Sequence, residues 1–331
     1  MSAPEPRANP LLVGHGAAEA ALFGTLQAGR VHHAWLVTGP DGVGKATLAF
    51  RFARRLLAGE PADSLALDPA HPVFRRVAAG THADLLTVER AWDDKRRRLR
   101  GEIAVEDVRG VAEFLRLTPA EGGWRVVVLD GAEHLNRNAA NALLKMLEEP
   151  PPRAVLLLPC AAPGRLLPTI RSRCRRLALA PLAEDEVAAL LDRYLPDADP
   201  TERARLAALA DGSPGRALQL ADENGTALAT LAEDALRGAP GLPSARVLAI
   251  AEQATRTDGG FATFMALLGE GVADAAREAA MRGEAGGAHG RPLVEWVEVW
   301  QAILRLREET ERFNLDKRHA VAASLALLNG P

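Results

Sequence analysis

The segment Gly39-Pro-Asp-Gly42-Val-Gly44-Lys45-Ala46-Thr47 holds the residue types that bind phosphate: glycines that let backbone N–H groups converge, and a lysine that adds a point charge. It follows the apolar run Trp35 to Thr38 and opens a pattern of Leu48, Phe52 and Leu56, so the expected context is strand, glycine loop, helix. Gly39, Gly42, Gly44, Lys45 and Thr47 are the candidate nucleotide-binding residues on this spacing. The place after the lysine ordinarily supplies a hydroxyl to Mg²⁺, and here it is Ala46, whose methyl group coordinates nothing. Thr47 comes one residue later, about 100° further around a helix. A second acidic motif, Asp130-Gly-Ala-Glu133-His134, follows the apolar run Val126 to Leu129. Asp130 stands where a metal-orienting aspartate belongs. The next place, which holds a water-orienting carboxylate in a nucleotide hydrolase, is Gly131. Glu133 is expected as a surface or helix-capping carboxylate. Losing the metal hydroxyl and the water-orienting acid removes separate sources of transition-state stabilisation, so the loop reads as a retained fold element rather than a working ATP site.

Arginines cluster downstream at Arg171, Arg173, Arg175 and Arg176, in a segment expected to be a loop. Guanidinium suits two-point contact with phosphate and stays charged, which makes Arg173 a candidate for a phosphate outside this chain. A solvated basic turn is the other reading that the residues leave open. The run Lys95-Arg96-Arg97-Arg98-Leu99-Arg100 could contact a DNA backbone, but the neighbouring Asp93 and Asp94 partly cancel its charge and favour a solvated hairpin tip. His32 and His33 have no further ligands at metal spacing and read as structural. Trp296 and Trp300 share an apolar helical face, which suits a packed core or subunit contact better than base stacking.

The elements that must position these residues are legible in outline. Short apolar runs at 35–38, 85–88, 126–129 and 155–158 read as buried strands, separated by helical patterns such as Val108, Val111, Ala112 and Leu115. Such alternation implies a parallel α/β sheet. Beyond Leu182 Ala/Leu-rich amphipathic stretches take over, divided by turn signals such as 195–200 and 211–215, so the fold class is α/β plus all-α. We expect three domains, over 1–180, 181–225 and 226–331, with a Gly/Ala-rich loop at 285–290. The 331 residues are 48% hydrophobic and 25% charged, an ordinary globular balance. A formal net charge of −3 gives the whole chain no field for tight DNA binding alone. Two cysteines, Cys160 and Cys174, exclude a disulfide framework and a four-cysteine zinc site. No signal-peptide pattern or membrane-spanning run is found, and a cytoplasmic location is expected.

Taken in order, HHAWLVTGPDGVGKATLA, GTHADLLTVE, GGWRVVVLDGAEHLNRNAANALLKMLEEPP and LLPTIRSRCRRL resemble the bacterial clamp-loader ATPases and their delta-prime relatives, in the AAA+ class. The resemblance implies an AAA+ P-loop domain, a small helical lid and a helical collar. It implies a place in a hetero-oligomeric ring of DNA polymerase III with gamma/tau ATPase subunits and delta, acting on a sliding clamp and primed DNA. The Ser-Arg-Cys arginine of that family is a finger that reaches a neighbour's ATP, and it falls on Arg173. Ala46 and Gly131 depart from the active ATPase subunits and match delta-prime better. A catalytically active, gamma/tau-like subunit is the alternative. No cofactor is required on this reading, and ATP or ADP could bind passively. Many relatives carry a four-cysteine zinc module, but 59–80 holds no cysteine, so no zinc is expected. At the end of the fourth strand Cys160 stands near where relatives place a polar sensor, and it reads as a small buried residue. Arg216, at the family's lid arginine, is expected to serve domain packing.

Overall fold

A computed structural model describes residues 4–94, 98–121, 123–282 and 291–329. Its backbone divides into two compact units: Met1–Ala198 with Ala207–Arg216, and Asp199–Leu206 with Ala217–Pro331.

The first unit runs α1 (Gly16–Gln27), β1 (Ala34–Thr38), α2 (Lys45–Ala58), α3 (Pro72–Ala78), β2 (Leu85–Val88), β3 (Trp92–Asp93), β4 (Arg98–Leu99), α4 (Val105–Arg116), β5 (Arg125–Leu129), α5 (Arg137–Glu148), β6 (Ala154–Cys160), α6 (Pro168–Arg173), β7 (Arg175–Ala178) and α7 (Glu184–Tyr194). Five strands form a wholly parallel sheet in the order β2-β5-β6-β1-β7. Every residue of β1, β5 and β6 is buried, which is why they appear in the sequence as unbroken apolar runs rather than alternating ones. On one side, α4 and α5 bury Val108, Val111, Leu115, Leu143 and Leu147 in a core with Leu156 and Leu158 of β6. Helix α2 is buried nearly all round. Its Arg54 is fully covered, donates to the carbonyls of Arg7 (2.8 Å) and Asn9 (2.9 Å) and lies over the Phe74 ring. Those bonds strap the N-terminal segment across α2. Burial lowers the Arg54 pKa to about 10, still high enough to keep it charged at neutral pH.

The basic segment expected as a loop is α6 followed by an edge strand, β7. Its sequence, RRLA, is largely exposed, so no apolar run marks it. Arg175 lies over the Trp35 ring at 5.0 Å and Arg176 Nε donates to Thr38 Oγ1 at 3.3 Å, both fastened to β1. The ribbon β3–β4 supplies the expected hairpin, pairing Trp92 with Leu99, but the tip at 95–97 lies outside the described residues.

Helices α8 (Pro200–Leu209) and α9 (Pro214–Asp222) have residues in both units. The second unit continues with α10 (Gly225–Gly238), α11 (Ser244–Ala254), α12 (Gly260–Arg282), α13 (Leu293–Phe313) and α14 (Lys317–Asn329). Helix α12 packs against α10 and α13, and α14 against α11 and α13. Phe261, Phe264, Leu268, Trp296 and Ile303 fill this core. Among the described residues no strand follows Ala178, as the loss of strand-like runs implied. The apolar face of α13 is wider than its packing partners. Trp296 is buried, whereas Leu293, Val297, Trp300 and Leu304 stand exposed at i, i+4, i+7 and i+11. The expected loop at 285–290 lies outside the described residues. No helix among them is long and apolar enough to cross a membrane.

Candidate nucleotide site and arginine cluster

The chemistry-bearing residues gather at the carboxyl ends of β1, β5 and β6, where open parallel sheets place ligands. The glycine loop leaves β1 with Gly39, Gly42 and Gly44 all at positive φ, and Lys45 opens α2. Gly42 shows why only glycine fits: a Cβ there would stand 2.8 Å from the Arg216 backbone nitrogen and 3.0 Å from Gly215 Cα. That approach is held by Gly215 N–H donating to the Gly42 carbonyl (2.9 Å) and Ser213 Oγ–H donating to the Asp41 carbonyl (2.6 Å). On the other flank His15 Nε2–H donates to the Val43 carbonyl at 2.8 Å. The loop is thus pinned from two directions by residues that sequence reading did not assign to it. In the sequence the Gly-Ser-Pro-Gly turn at 212–215 reads as a turn signal leading into the lid arginine Arg216, not as a partner of the loop.

Lys45 is only 8% exposed, yet its ammonium is turned back on its own loop, donating to the Pro40 carbonyl at 2.6 Å with Asp41 Oδ1 at 3.5 Å. Ala46 follows it, and Thr47 is buried. The loop's glycine backbone suits a phosphate. The donor set does not suit a metal-bound triphosphate, because no hydroxyl stands at the metal position and the lysine is engaged with a carbonyl.

Asp130 directly follows β5 and is largely covered. Burial pushes its carboxyl up to about 6; Lys45 pulls it down, while Glu89 and Glu133 push it further up. The next residue, Gly131, has φ +73°, and a Cβ there would meet the His134 ring at 3.0 Å. A side chain at the water-orienting position is therefore disfavoured by backbone as well as absent. Glu133 departs from its expected surface role. The single turn Ala132–His134 folds it inward, leaving it 9% exposed, with Oε2 lacking a hydrogen-bond partner among the described residues. Burial and the nearby Glu133 carboxylate push the Cys160 thiol up to about 12, so it stays protonated and unreactive at neutral pH. Lys45, Asp130, Glu133 and Cys160 thus share one electrostatic neighbourhood.

Arg173 stands apart from that group. It ends α6, and its Nη1 donates to the Thr169 carbonyl at 3.0 Å while Nη2 pairs with Glu148 Oε1 at 2.8 Å. Arg171, on the same short helix, is exposed. His32 and His33 stack on each other before β1, and the Ala34 N–H donates to His32 Nδ1 at 3.2 Å, a local backbone-capping arrangement.

Comparison with known proteins finds relatives of this sequence. A family model described as DNA polymerase III, delta subunit, matches residues 14–183. The DNA polymerase III subunit delta' of Pseudomonas aeruginosa is 42% identical over 188 residues, covering 57% of this chain and 55% of that protein. The subunit of the same name from Escherichia coli is 37% identical over 201 residues, 60% of this chain and 57% of that one. The Escherichia coli DNA polymerase III subunit tau is 33% identical over 207 residues, 61% of this chain but 31% of its own length. The chain spans about half the length of the delta' relatives it matches.

Proposed function

The chain belongs to the DNA polymerase III delta-subunit family, and on that premise we propose that it is a delta-prime-type accessory subunit of the clamp loader that hydrolyses no ATP itself. The observation that carries the reading is the pairing of Ala46 and Gly131 in an otherwise retained site, with Lys45 bonded to the Pro40 carbonyl and Gly131 held at φ +73°. A bound Mg²⁺ nucleotide supplies phosphoryl-transfer chemistry where a hydroxyl and a water-orienting acid accompany it, and this chain has neither at those positions. Its own residues instead hold the loop shut: Ser213 and Gly215 fasten it on one flank and His15 on the other.

On this reading Arg173 acts in trans. A guanidinium presented at the end of α6 stabilises charge on a phosphate bound by an adjoining gamma/tau ATPase subunit. Delta and the gamma/tau subunits are the ring partners, and the sliding clamp and primed DNA are handled by the assembled complex. The division into a sheet domain, a lid over 181–225 and a collar from 226 belongs to the same proposal, with the exposed stripe Leu293, Val297, Trp300 and Leu304 as the collar's contact face. The test is ATP turnover by the purified chain. Hydrolysis at background is expected; turnover that Lys45→Ala abolishes would instead favour an active gamma/tau-like subunit.

A further inference from the structure

Glutamate at the C-terminal end of a helix faces the negative end of the helix dipole, so an acid placed there is unfavourable unless a cation answers it. Glu148 is the last residue of α5, followed by Glu149 and then Pro150, which prevents continuation. The cation that answers it is Arg173. Helix α6 packs against α5 through buried Ile170, and this brings the guanidinium to the end of α5. One nitrogen is taken by the Thr169 carbonyl at 3.0 Å and the other by Glu148 at 2.8 Å. Two anchors on separate nitrogens fix the plane of the group, and its remaining N–H donors are left to meet phosphate oxygens.

We propose that Glu148 is a positioning residue for Arg173, holding the guanidinium ready for the neighbouring subunit's nucleotide. This rests on the in-trans role proposed above for Arg173. Glu148 touches no nucleotide and acts only through the arginine. The hold is light enough to work this way. Both side chains are partly exposed, at 35% and 50%, so solvent screens the pair and a phosphate carrying more charge than one carboxylate is not out-competed. What the anchor supplies is order: an arginine left to sample its rotamers must be immobilised in each turnover. Fixing a rotamer-rich side chain is worth about 2- to 10-fold in a rate or binding constant.

The test uses the assembled loader with clamp and primed DNA, comparing wild type, Glu148→Ala, Glu148→Gln, Arg173→Ala and the Glu148→Ala/Arg173→Ala pair. ATP turnover is measured across ATP concentration. Glu148→Ala is expected to lower kcat by about 2- to 10-fold at unchanged KM for ATP. Glu148→Gln, which still offers an oxygen to Nη2, should recover most of the rate. In the Arg173→Ala background Glu148→Ala should change nothing further, because Glu148 acts only through the arginine, and Glu148→Ala should leave assembly of the loader and its thermal midpoint unchanged, which loss of a structural contact would not. If Arg173→Ala slows the complex while Glu148→Ala leaves it at the wild-type rate, or if Glu148→Ala slows both backgrounds alike, the positioning role is overturned and the arginine's role stands. If Arg173→Ala itself has no effect, both fall together.

Discussion

Replacing Asp130 by asparagine should stabilise the protein, and the gain should depend on pH in a defined direction. The carboxyl moves from an ordinary value of 3.8 to about 6 on folding, chiefly because it is buried. At about 1.4 kcal/mol per tenfold change in proton affinity, the ionised group lowers native stability by about 3 kcal/mol. Between pH 4 and 6 the folded chain keeps a proton that the unfolded chain has lost, so stability falls as pH rises through that window. Above about pH 6 the whole penalty is present. Asparagine keeps the shape and never ionises. The gain should therefore be about 3 kcal/mol at pH 8 and shrink to about 1 kcal/mol at pH 4.5. For a unit of this size that is a rise in Tm of about 6–10 °C at pH 8. Urea titrations of wild type and Asp130→Asn at both pH values, with amide exchange in β5 to localise the change, provide the measurement. An asparagine variant no more stable than wild type at pH 8, or a gain equal at both pH values, would refute the reasoning.

Other substitutions probe the loop and the acid position. Gly42→Ala should destabilise the first unit by about 2 kcal/mol or more, since φ is +75° and its Cβ would press on the Arg216 backbone; urea midpoints and amide protection at Gly215 read this out. Ala46→Thr with Gly131→Glu should not create an ATPase, and Gly131→Glu alone should lower stability by about 1–2 kcal/mol because the backbone there is left-handed; phosphate release and thermal melts check both. Ending the chain before Thr226 should leave the sheet unit folded but remove it from the assembled ring, as seen by circular dichroism and size exclusion with partner subunits.

Much of the sheet was legible because parallel strands buried on both faces leave unbroken apolar runs, as β1, β5 and β6 do; the edge strand β2, only partly buried, still coincides with the short run Leu85 to Val88. Strand β7 was not legible, since its arginines lie on an exposed edge and its pairing with β1 is a long-range event. The site's composition could be read from Gly39, Gly42, Gly44, Lys45, Ala46, Asp130 and Gly131, which are local in sequence. Its closure could not. Ser213 and Gly215 meet the loop across more than half the chain's length, and nothing in their spacing announces it. Glu133 was misplaced for a related reason. A single helical turn decides whether its side chain faces solvent or Cys160, and periodicity does not resolve one turn. Glu148 carries a signal in its position: an acid at a helix C-terminus is a placement that calls for a partner. The α13 face was read correctly as apolar, but which of its residues are covered depends on how far α12 and α14 extend around it.

The central claim, that this chain contributes an arginine rather than a hydrolytic site, is tested most directly by Arg173→Ala in the reconstituted loader. Clamp loading onto primed DNA is compared with wild type, with Arg173→Lys and with the exposed helix neighbour Arg171→Ala. Finger arginines in GTPases contribute about 10³–10⁵ in rate, an upper guide for one site among several. Loading should fall by about tenfold or more with Arg173→Ala, recover poorly with Arg173→Lys, whose ammonium lacks the planar two-point contact, and stay near wild type with Arg171→Ala. An Arg173→Ala complex that assembles normally and loads clamps at the wild-type rate would contradict the claim.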